Sequence, residues 1–330
     1  MIVVMARETS TDDLEAIRER IESRGMVAQI NLGVERTVIG VMGSIPPDFK
    51  DEMELMNGVV EVVMISKPYK LASKEFHPDD TIIKVGDAVI GGSAPVIMAG
   101  PCSVEDEEQM VSTAKAVKAA GATVMRGGAF KPRTSPYSFR GMGEDGLKLL
   151  LTAKQETGLP IITEVMATDD VETVAKYADI LQIGARNMQN YNLLDEVGKL
   201  DKPVMVKRGL AASYEEWLLA AEYVMAGGNQ QVILCERGIR GFETFTRFTL
   251  DVAAVPVIKR LSHLPIVCDP SHSTGKWYLV TPVALASIAA GAHGLIIEVH
   301  PNPDLAKCDG PQSLTFENFD MLMEQVKAIA

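Results

Sequence analysis

From Pro95 onward, short apolar runs alternate with amphipathic stretches, and the alternation repeats eight times. The runs are Val96–Ala99, Thr123–Arg126, Pro160–Val165, Ile180–Ile183, Pro203–Lys207, Val232–Cys235, Ile266–Cys268 and Gly294–Val299. Helix candidates lie between them, among them Glu107–Ala120, Asp145–Thr157, Tyr214–Met225 and Val283–Ala290. Leu147, Leu150 and Leu151 show the helical spacing of their apolar residues. Gly121, Gly158, Gly227 and Gly291 follow several of these stretches, where glycine ends helices. Eight strand–helix units within about 235 residues predict an α/β fold of the (β/α)8 TIM-barrel type over residues 95–330. A doubly wound open sheet would have fewer units and a glycine fingerprint after its first strand. Here the first run is followed by Gly100-Pro101-Cys102-Ser103.

Residues 1–67 have a different rhythm. Ile2 to Ala6 reads as a strand. Ser10 or Thr11 can cap a helix whose first turn holds Asp12, Asp13 and Glu15. That helix ends near Gly25. Strands follow at Val27–Leu32 and Arg36–Gly43. A helix opens at Pro46-Pro47 and ends near Gly58, and Val59–Ser66 is the last strand. The order strand-helix-strand-strand-helix-strand predicts a small ferredoxin-like domain. Residues 68–94 are expected to be a linker, with a short hairpin around Gly86-Asp87.

Composition narrows the class of function. Apolar residues make up 47% and charged residues 23%, as in ordinary globular chains rather than disordered ones. The net charge of −12, without a basic stripe, argues against a nucleic-acid partner. Mean hydropathy is +0.09 and no run of eighteen apolar residues occurs, so no membrane span is expected. The N-terminal residues do not read as a secretory signal. The cysteines Cys102, Cys235, Cys268 and Cys308 lie far apart, with no C-x-x-C pair. A reducing cytoplasm is therefore the expected setting.

Barrel enzymes carry their sites at the carboxyl ends of the strands. Two groupings emerge there. The first is cationic: Arg126, Lys131, Arg133, Arg186, Lys207, Arg208 and Arg237 fall on one rim of an acidic protein. Guanidinium forks and ammonium groups in that number call for substrates with several phosphate or carboxylate groups. The second grouping is Cys102, His272, Glu298 and Asp309, from the first, seventh and eighth strand ends. The first and eighth strands are neighbours in a closed barrel. One sulfur, one nitrogen and two carboxylates suit Zn, Mn, Fe or Co better than Mg or Ca. Two members also have a plain structural reading: a buried cysteine packs a core, and Asp309 can cap a loop before Gly310, whereas His272 in its Pro-Ser-His-Ser turn is harder to explain as packing. Cys235 and Cys268 read as small core residues, and Cys308 as a mere neighbour of Asp309. His77 and His263 read as structural, and His300 as an outer neighbour of Glu298. There is no G-x-S-x-G elbow to suggest a serine hydrolase.

The strand-end motifs resemble those of 3-deoxy-D-arabino-heptulosonate 7-phosphate (DAHP) synthase, type I beta branch, which carries an N-terminal ferredoxin-like regulatory domain. The resemblance rests on Gly100-Pro101-Cys102-Ser103, Arg126-Gly127-Gly128-Ala129, Lys131-Pro132-Arg133-Thr134-Ser135, Ile183-Gly184-Ala185-Arg186-Asn187, Lys207-Arg208-Gly209, Cys235-Glu236-Arg237-Gly238 and Asp269-Pro270-Ser271-His272-Ser273. It implies a condensation of phosphoenolpyruvate with erythrose 4-phosphate that releases phosphate and needs a divalent metal. It implies that Cys102, His272, Glu298 and Asp309 hold the metal. Arg126, Lys131, Arg186, Lys207 and Arg237 would hold phosphoenolpyruvate. Arg133, Thr134 and Ser135 would hold erythrose 4-phosphate. Glu164 would position water, and Lys131 is the expected proton donor. The family further implies a homotetramer and an aromatic effector, tyrosine or phenylalanine. Gln29 and Asn31, which share a strand face, are the candidate effector contacts. The rival reading within this chemistry is 3-deoxy-D-manno-octulosonate 8-phosphate synthase, which uses arabinose 5-phosphate. A catalytically idle effector-binding barrel and a zinc hydrolase are the rivals from other classes; the intact metal and cation sets argue against the first, and the second leaves so many cations unexplained.

Overall fold

The structure is a computed structural model that describes residues 1–33, 36–46, 48–64, 68–132, 135 and 137–329. It divides into two compact units, Met1–Asp80 with Arg260–His263, and Thr81–Lys259 with Leu264–Ala330.

The first unit contains β1 (Ile2–Met5), α1 (Thr11–Ser23), β2 (Val27–Leu32), β3 (Thr37–Met42), α2 (Phe49–Glu54) and β4 (Val59–Val63). The antiparallel sheet has the order β2-β3-β1-β4, the ferredoxin-like arrangement. Ser10 caps α1 by accepting the Asp13 N–H. Ile17 and Ile21 of α1 and Phe49 and Met53 of α2 pack on Val3, Met5, Ile39 and Val41. Pro47 and Ser66, expected at element ends, lie outside the described residues. The polar stretch after β4 buries Tyr69, Leu71, Ala72 and Phe76. The Phe76 ring lies so close to Gly40 that a Cβ there would overlap it at 1.9 Å.

The second unit begins with a hairpin, β5 (Ile83–Val85) and β6 (Ala88–Ile90). Eight parallel strands follow: β7 (Val96–Gly100), β8 (Val124–Arg126), β9 (Ile161–Val165), β10 (Ile180–Ile183), β11 (Val204–Lys207), β12 (Val232–Glu236), β13 (Ile266–Cys268) and β14 (Gly294–Glu298). They close into the predicted barrel, with β14 pairing β7 from Gly294↔Val96 to Glu298↔Gly100. The hairpin residues Ile83, Val85, Ala88 and Ile90 share one core cluster with Val96, Val124, Ile162, Ile180, Ile233 and Val267. Each of these six is the first or second residue of its strand, so the hairpin stops the amino-terminal end of the barrel and leaves the carboxyl end for a site.

The barrel helices include α3 (Glu107–Ala120), α4 (Glu144–Thr157), α5 (Val171–Tyr177), α6 (Tyr191–Gly198), α7 (Tyr214–Ala226), α8 (Ala254–Leu261), α9 (Pro270–Thr274), α10 (Trp277–Ala289) and α11 (Phe316–Ile329). Ser213 and Glu216 form a full capping box on α7. One expectation needs correction: α10 starts at Trp277 and carries Pro282 inside it, rather than starting after that proline. A proline at this point frees only the carbonyl of Tyr278, in the first turn, and Tyr278 is half exposed, so water can serve that oxygen. The string Gly141-Met142-Gly143-Glu144-Asp145-Gly146 matches a dinucleotide fingerprint by letter, yet it opens α4 far beyond β8 and does not follow the first strand. No described helix is long and apolar enough to cross a membrane.

Candidate active site

The carboxyl end of the barrel holds a cavity of about 330 Å³. Arg126, Lys131, Glu164, Arg186, Lys207, Arg237, His272 and Asp309 all line it, as does Ser135. Arg133 and Thr134 lie outside the described residues. Arg208 is the exception among the expected cations. Its guanidinium is taken by Glu236 at 2.9 Å and Asp251 at 2.8 Å, over the Tyr214 ring. Consecutive strand residues face opposite ways, so Lys207 entering the barrel sends Arg208 outward.

The cations differ in how they are held. Lys207 Nζ donates to Asp269 Oδ2 at 2.5 Å. Arg126 Nη1 donates to Pro101 O at 2.5 Å and to Glu298 Oε1 at 3.1 Å. Lys131 Nζ reaches Cys102 O at 2.9 Å and Cys102 Sγ at 3.0 Å. Burial works against charge on Lys131, but the negative groups at Cys102, Cys308 and Glu298 outweigh it and raise its pKa. Arg126 Nε and Arg237 Nη1 are buried without a partner among the described residues. Burial lowers the pKa of Arg237. Buried donors without acceptors are costly unless a ligand supplies the acceptor.

Beside them lie the four expected metal-ligating side chains. Cys102 Sγ is 3.4 Å from Asp309 Oδ2. His272 Nε2 is 3.3 Å from Glu298 Oε1 and 4.0 Å from Asp309 Oδ2. Donors bound to one ion at about 2.1–2.3 Å stand roughly 3.4–3.8 Å apart in a tetrahedron. The observed spacings bracket that range, and a buried and a half-buried carboxylate beside a thiol and an imidazole offer suitable donors, so the residues fit a divalent ion. Asp269 caps α9 and stands beside the imidazole: its Oδ1 accepts the backbone N–H of His272 at 2.9 Å, and its Oδ2 lies 2.8 Å from Nδ1, near but off the hydrogen-bond line. Burial lowers the pKa of His272, which favours the neutral, ligating ring. Burial also pushes the Asp309 carboxyl up, but His272, Arg247 and Lys131 prevail and hold it at about 2.

Local backbone explains the positions. A Cβ on Gly184 would stand 2.1 Å from Glu164 Oε1, so only glycine leaves room for that carboxylate. Gln182 Nε2 donates to Glu164 Oε2 at 3.2 Å. Both project into the barrel from neighbouring strands, paired in register.

Several lining residues escaped the sequence reading. Arg247 and Phe248 enter from the long connection after β12. Arg247 Nη1 donates to Gln312 Oε1 at 3.0 Å and lies 3.5 Å from Asp309 Oδ2. Gln312 Nε2 donates to Glu298 Oε2 at 2.7 Å. Arg247 and Gln312 lie eleven and fourteen residues beyond their strands, outside a search limited to strand ends. Gln182 did leave a signal: it is a polar residue inside the apolar run Ile180–Ile183.

Gln29 and Asn31 lie on β2, an edge strand of the first unit, opposite Gly40 and Val38 of β3. Both are half-buried, on the face away from Ala28 and Ile30, which pack on the domain core.

A parallel eight-stranded barrel with a cation-lined mouth and a sulfur-nitrogen-carboxylate donor set is the framework of a barrel enzyme whose site suits anionic ligands and a divalent ion. Comparison with known proteins makes this specific. Residues 72–330 match the model of the DAHP synthetase I family, and residues 1–67 match the DAHP synthase ferredoxin-like domain. The chain belongs to the DAHP synthetase I family. A phospho-2-dehydro-3-deoxyheptonate aldolase of Thermotoga maritima is 50% identical over 330 residues, 100% of this chain and 98% of the relative. The crystal structure of phospho-2-dehydro-3-deoxyheptonate aldolase (DAHP synthase) from that organism has a TM-score of 0.80, with 100% of this chain and 96% of that chain covered. A 2-dehydro-3-deoxyphosphooctonate aldolase of Geobacter metallireducens is 32% identical, over 75% of this chain and 97% of the relative.

Proposed function

We propose that the chain condenses phosphoenolpyruvate with D-erythrose 4-phosphate and water, giving 3-deoxy-D-arabino-heptulosonate 7-phosphate and phosphate, with a divalent metal held by Cys102, His272, Glu298 and Asp309. One observation carries this reading. Arg126, Lys131, Arg186, Lys207, Arg237 and Arg247 line one cavity beside that donor set, in a chain of net charge −12. The full-length likeness to the heptonate aldolase, first domain included, favours it over the octonate reading, whose relatives match only about three quarters of the chain.

Arg126, Arg186, Lys207 and Arg237 hold the carboxylate and phosphate of phosphoenolpyruvate. The unpaired Arg126 Nε and Arg237 Nη1 are the donors that such a ligand would satisfy. Ser135, with Arg133 and Thr134, holds the sugar phosphate. A divalent ion at the donor set supplies a Lewis acid for the aldehyde oxygen. Fixing two anionic substrates in line, against fixed cations, contributes much of the rate. Glu164, braced by Gln182, positions the water that adds at the phosphate-bearing carbon. Lys131 gives its proton to the oxygen formed from the aldehyde, and Lys131→Met is expected to abolish turnover. Gln29 and Asn31 form part of an effector site for tyrosine or phenylalanine, and the working form is a cytoplasmic homotetramer.

The test is loss of phosphoenolpyruvate and release of phosphate, with erythrose 4-phosphate or arabinose 5-phosphate, with and without chelator. Turnover is expected with erythrose 4-phosphate only, and chelator should stop it. Turnover with arabinose 5-phosphate alone would assign the rival activity.

A further inference from the structure

Three candidates outside the assigned roles have some chemical content: the stacked His77–His263 pair, the Arg247–Gln312 bridge and Cys308. Only Cys308 brings a new donor atom to a site. We infer that Cys308 is a fifth protein ligand of the metal site, so that this chain offers the ion two sulfurs. The inference rests on the metal reading above.

Cys308 Sγ lies 3.0 Å from Cys102 Sγ across 206 residues of sequence. Cys102, Cys308 and Asp309 form one compact donor group, and His272, Glu298 and Asp309 form a second that shares Asp309. The backbone explains how neighbours in sequence reach the same place. In extended chain, adjacent side chains point to opposite sides. Asp309 has φ +53°, and it is the one non-glycine residue with positive φ among those described. That left-handed turn lets Cys308 and Asp309 both face Cys102. Backbone in this region is disfavoured for a residue with a Cβ, and such residues concentrate at functional sites.

A packing role accounts poorly for this placement. Cys235 shows what packing looks like here, since it belongs to the apolar cluster inside the barrel. Cys308 is instead buried against the Cys102 thiol, within 4.8 Å of the Asp309 carboxylate and, through Cys102, beside the Lys131 ammonium. It also borders a second cavity, beyond the Asp309 loop, lined by Lys276, Asn302 and Lys307 among others. Two thiolates beside one imidazole and two carboxylates shift preference toward thiophilic ions such as Zn²⁺ and Cd²⁺, and away from Mn²⁺. A six-coordinate ion would keep one position free of protein.

The test loads the full chain with Co²⁺ and reads the near-ultraviolet thiolate-to-cobalt charge-transfer band. Cys308→Ser and Cys308→Ala should each lose about half its intensity, and Cys102→Ser should lose a similar share. Competition between Zn²⁺ and Mn²⁺ should move at least tenfold toward Mn²⁺ in both Cys308 variants. A band and a Zn²⁺ preference unchanged in both Cys308 variants would overturn the assignment. So would a Cys102–Cys308 disulfide found by peptide mapping of the metal-loaded protein, since bonded sulfurs have no thiolate to give. The two readings fail differently. No thiolate band in the unmodified chain removes the metal site itself, whereas a band lost in Cys102→Ser and kept in Cys308→Ser removes only Cys308.

Discussion

Gln312 grips the oxygen of Glu298 that points away from His272, and Arg247 grips Gln312 in turn. Two of the carboxylates proposed to hold metal are thereby tied to one guanidinium. Outer partners of this kind set ligand orientation, and their loss commonly costs 10–100-fold in metal affinity, roughly. Gln312→Leu should therefore weaken Mn²⁺ binding by about that factor in a calorimetric titration, while folded structure persists. Gly184→Ala should act on Glu164 instead. Its methyl would displace the carboxylate, and turnover at saturating metal should fall about 100-fold, with phosphoenolpyruvate KM changing far less. His263 gives a stability prediction. Burial lowers its pKa from 6.5 to about 4, against the Leu71 carbonyl at 2.8 Å and with its ring stacked on His77. Below pH 6.5 the unfolded chain takes up the proton first, so stability falls with pH until about 4, by up to about 3 kcal/mol from this residue. Denaturant unfolding at a series of pH values should show that slope, flattened in His263→Asn. At this scale, residues at or just past a strand end, such as Arg126 and His272, were readable because barrel sites are built there. Arg247 and Gln312 were not, because their approach depends on how long loops close. Arg208 misled because a charge at a strand end does not announce the carboxylates that take it.

The elements were legible where one physical rule governs them. Buried parallel strands read as unbroken apolar runs, and β7, β10 and β13 fall within a residue of the runs that marked them. Helix α3, with Asp106 capping and Gly121 closing it, matches its expected span. Helix α10 was cut short in the reading because proline is treated as a stop, yet Pro282 sits inside the helix and frees only one carbonyl, that of half-exposed Tyr278 in the first turn. The β5–β6 hairpin was visible from Gly86-Asp87, but its task was not, since nothing local says that four apolar side chains will close a barrel floor. Ile90 is fully buried there. Ile90→Ala should cost about 2–5 kcal/mol of unfolding free energy. It should leave both substrate KM values unchanged, because the cavity lies at the other end of the strands. A changed KM at modest destabilisation would mean that the floor and the mouth are mechanically coupled.

For the molecule as a whole, two divisions of the chain differ in a way that can be measured. Family matching ends the first domain at residue 67, whereas packing assigns residues up to Asp80, with Arg260–His263, to the first unit. The physical reason is Phe76, whose ring sits on Gly40, together with buried Tyr69 and Leu71. A cut after residue 67 removes β3 from beneath Phe76 and leaves an apolar segment without its cover. A cut after residue 80 removes that segment as well. It uncovers Ser262 and His263, which have polar atoms to offer water. A truncated form of 3-deoxy-D-arabino-heptulosonate 7-phosphate synthase from Thermotoga maritima, whose match covers 79% of this chain, has a solved structure, so that shortened relative folds. Both truncations of the present chain should therefore turn over phosphoenolpyruvate. The 68–330 fragment should bind more of the dye ANS and self-associate at lower concentration than the 81–330 fragment, as exposed aromatic surface does. Neither fragment should respond to tyrosine or phenylalanine in calorimetry or in the rate, if Gln29 and Asn31 belong to the effector site. Inhibition that persists in both would place aromatic sensing on the barrel and leave the first unit without that role.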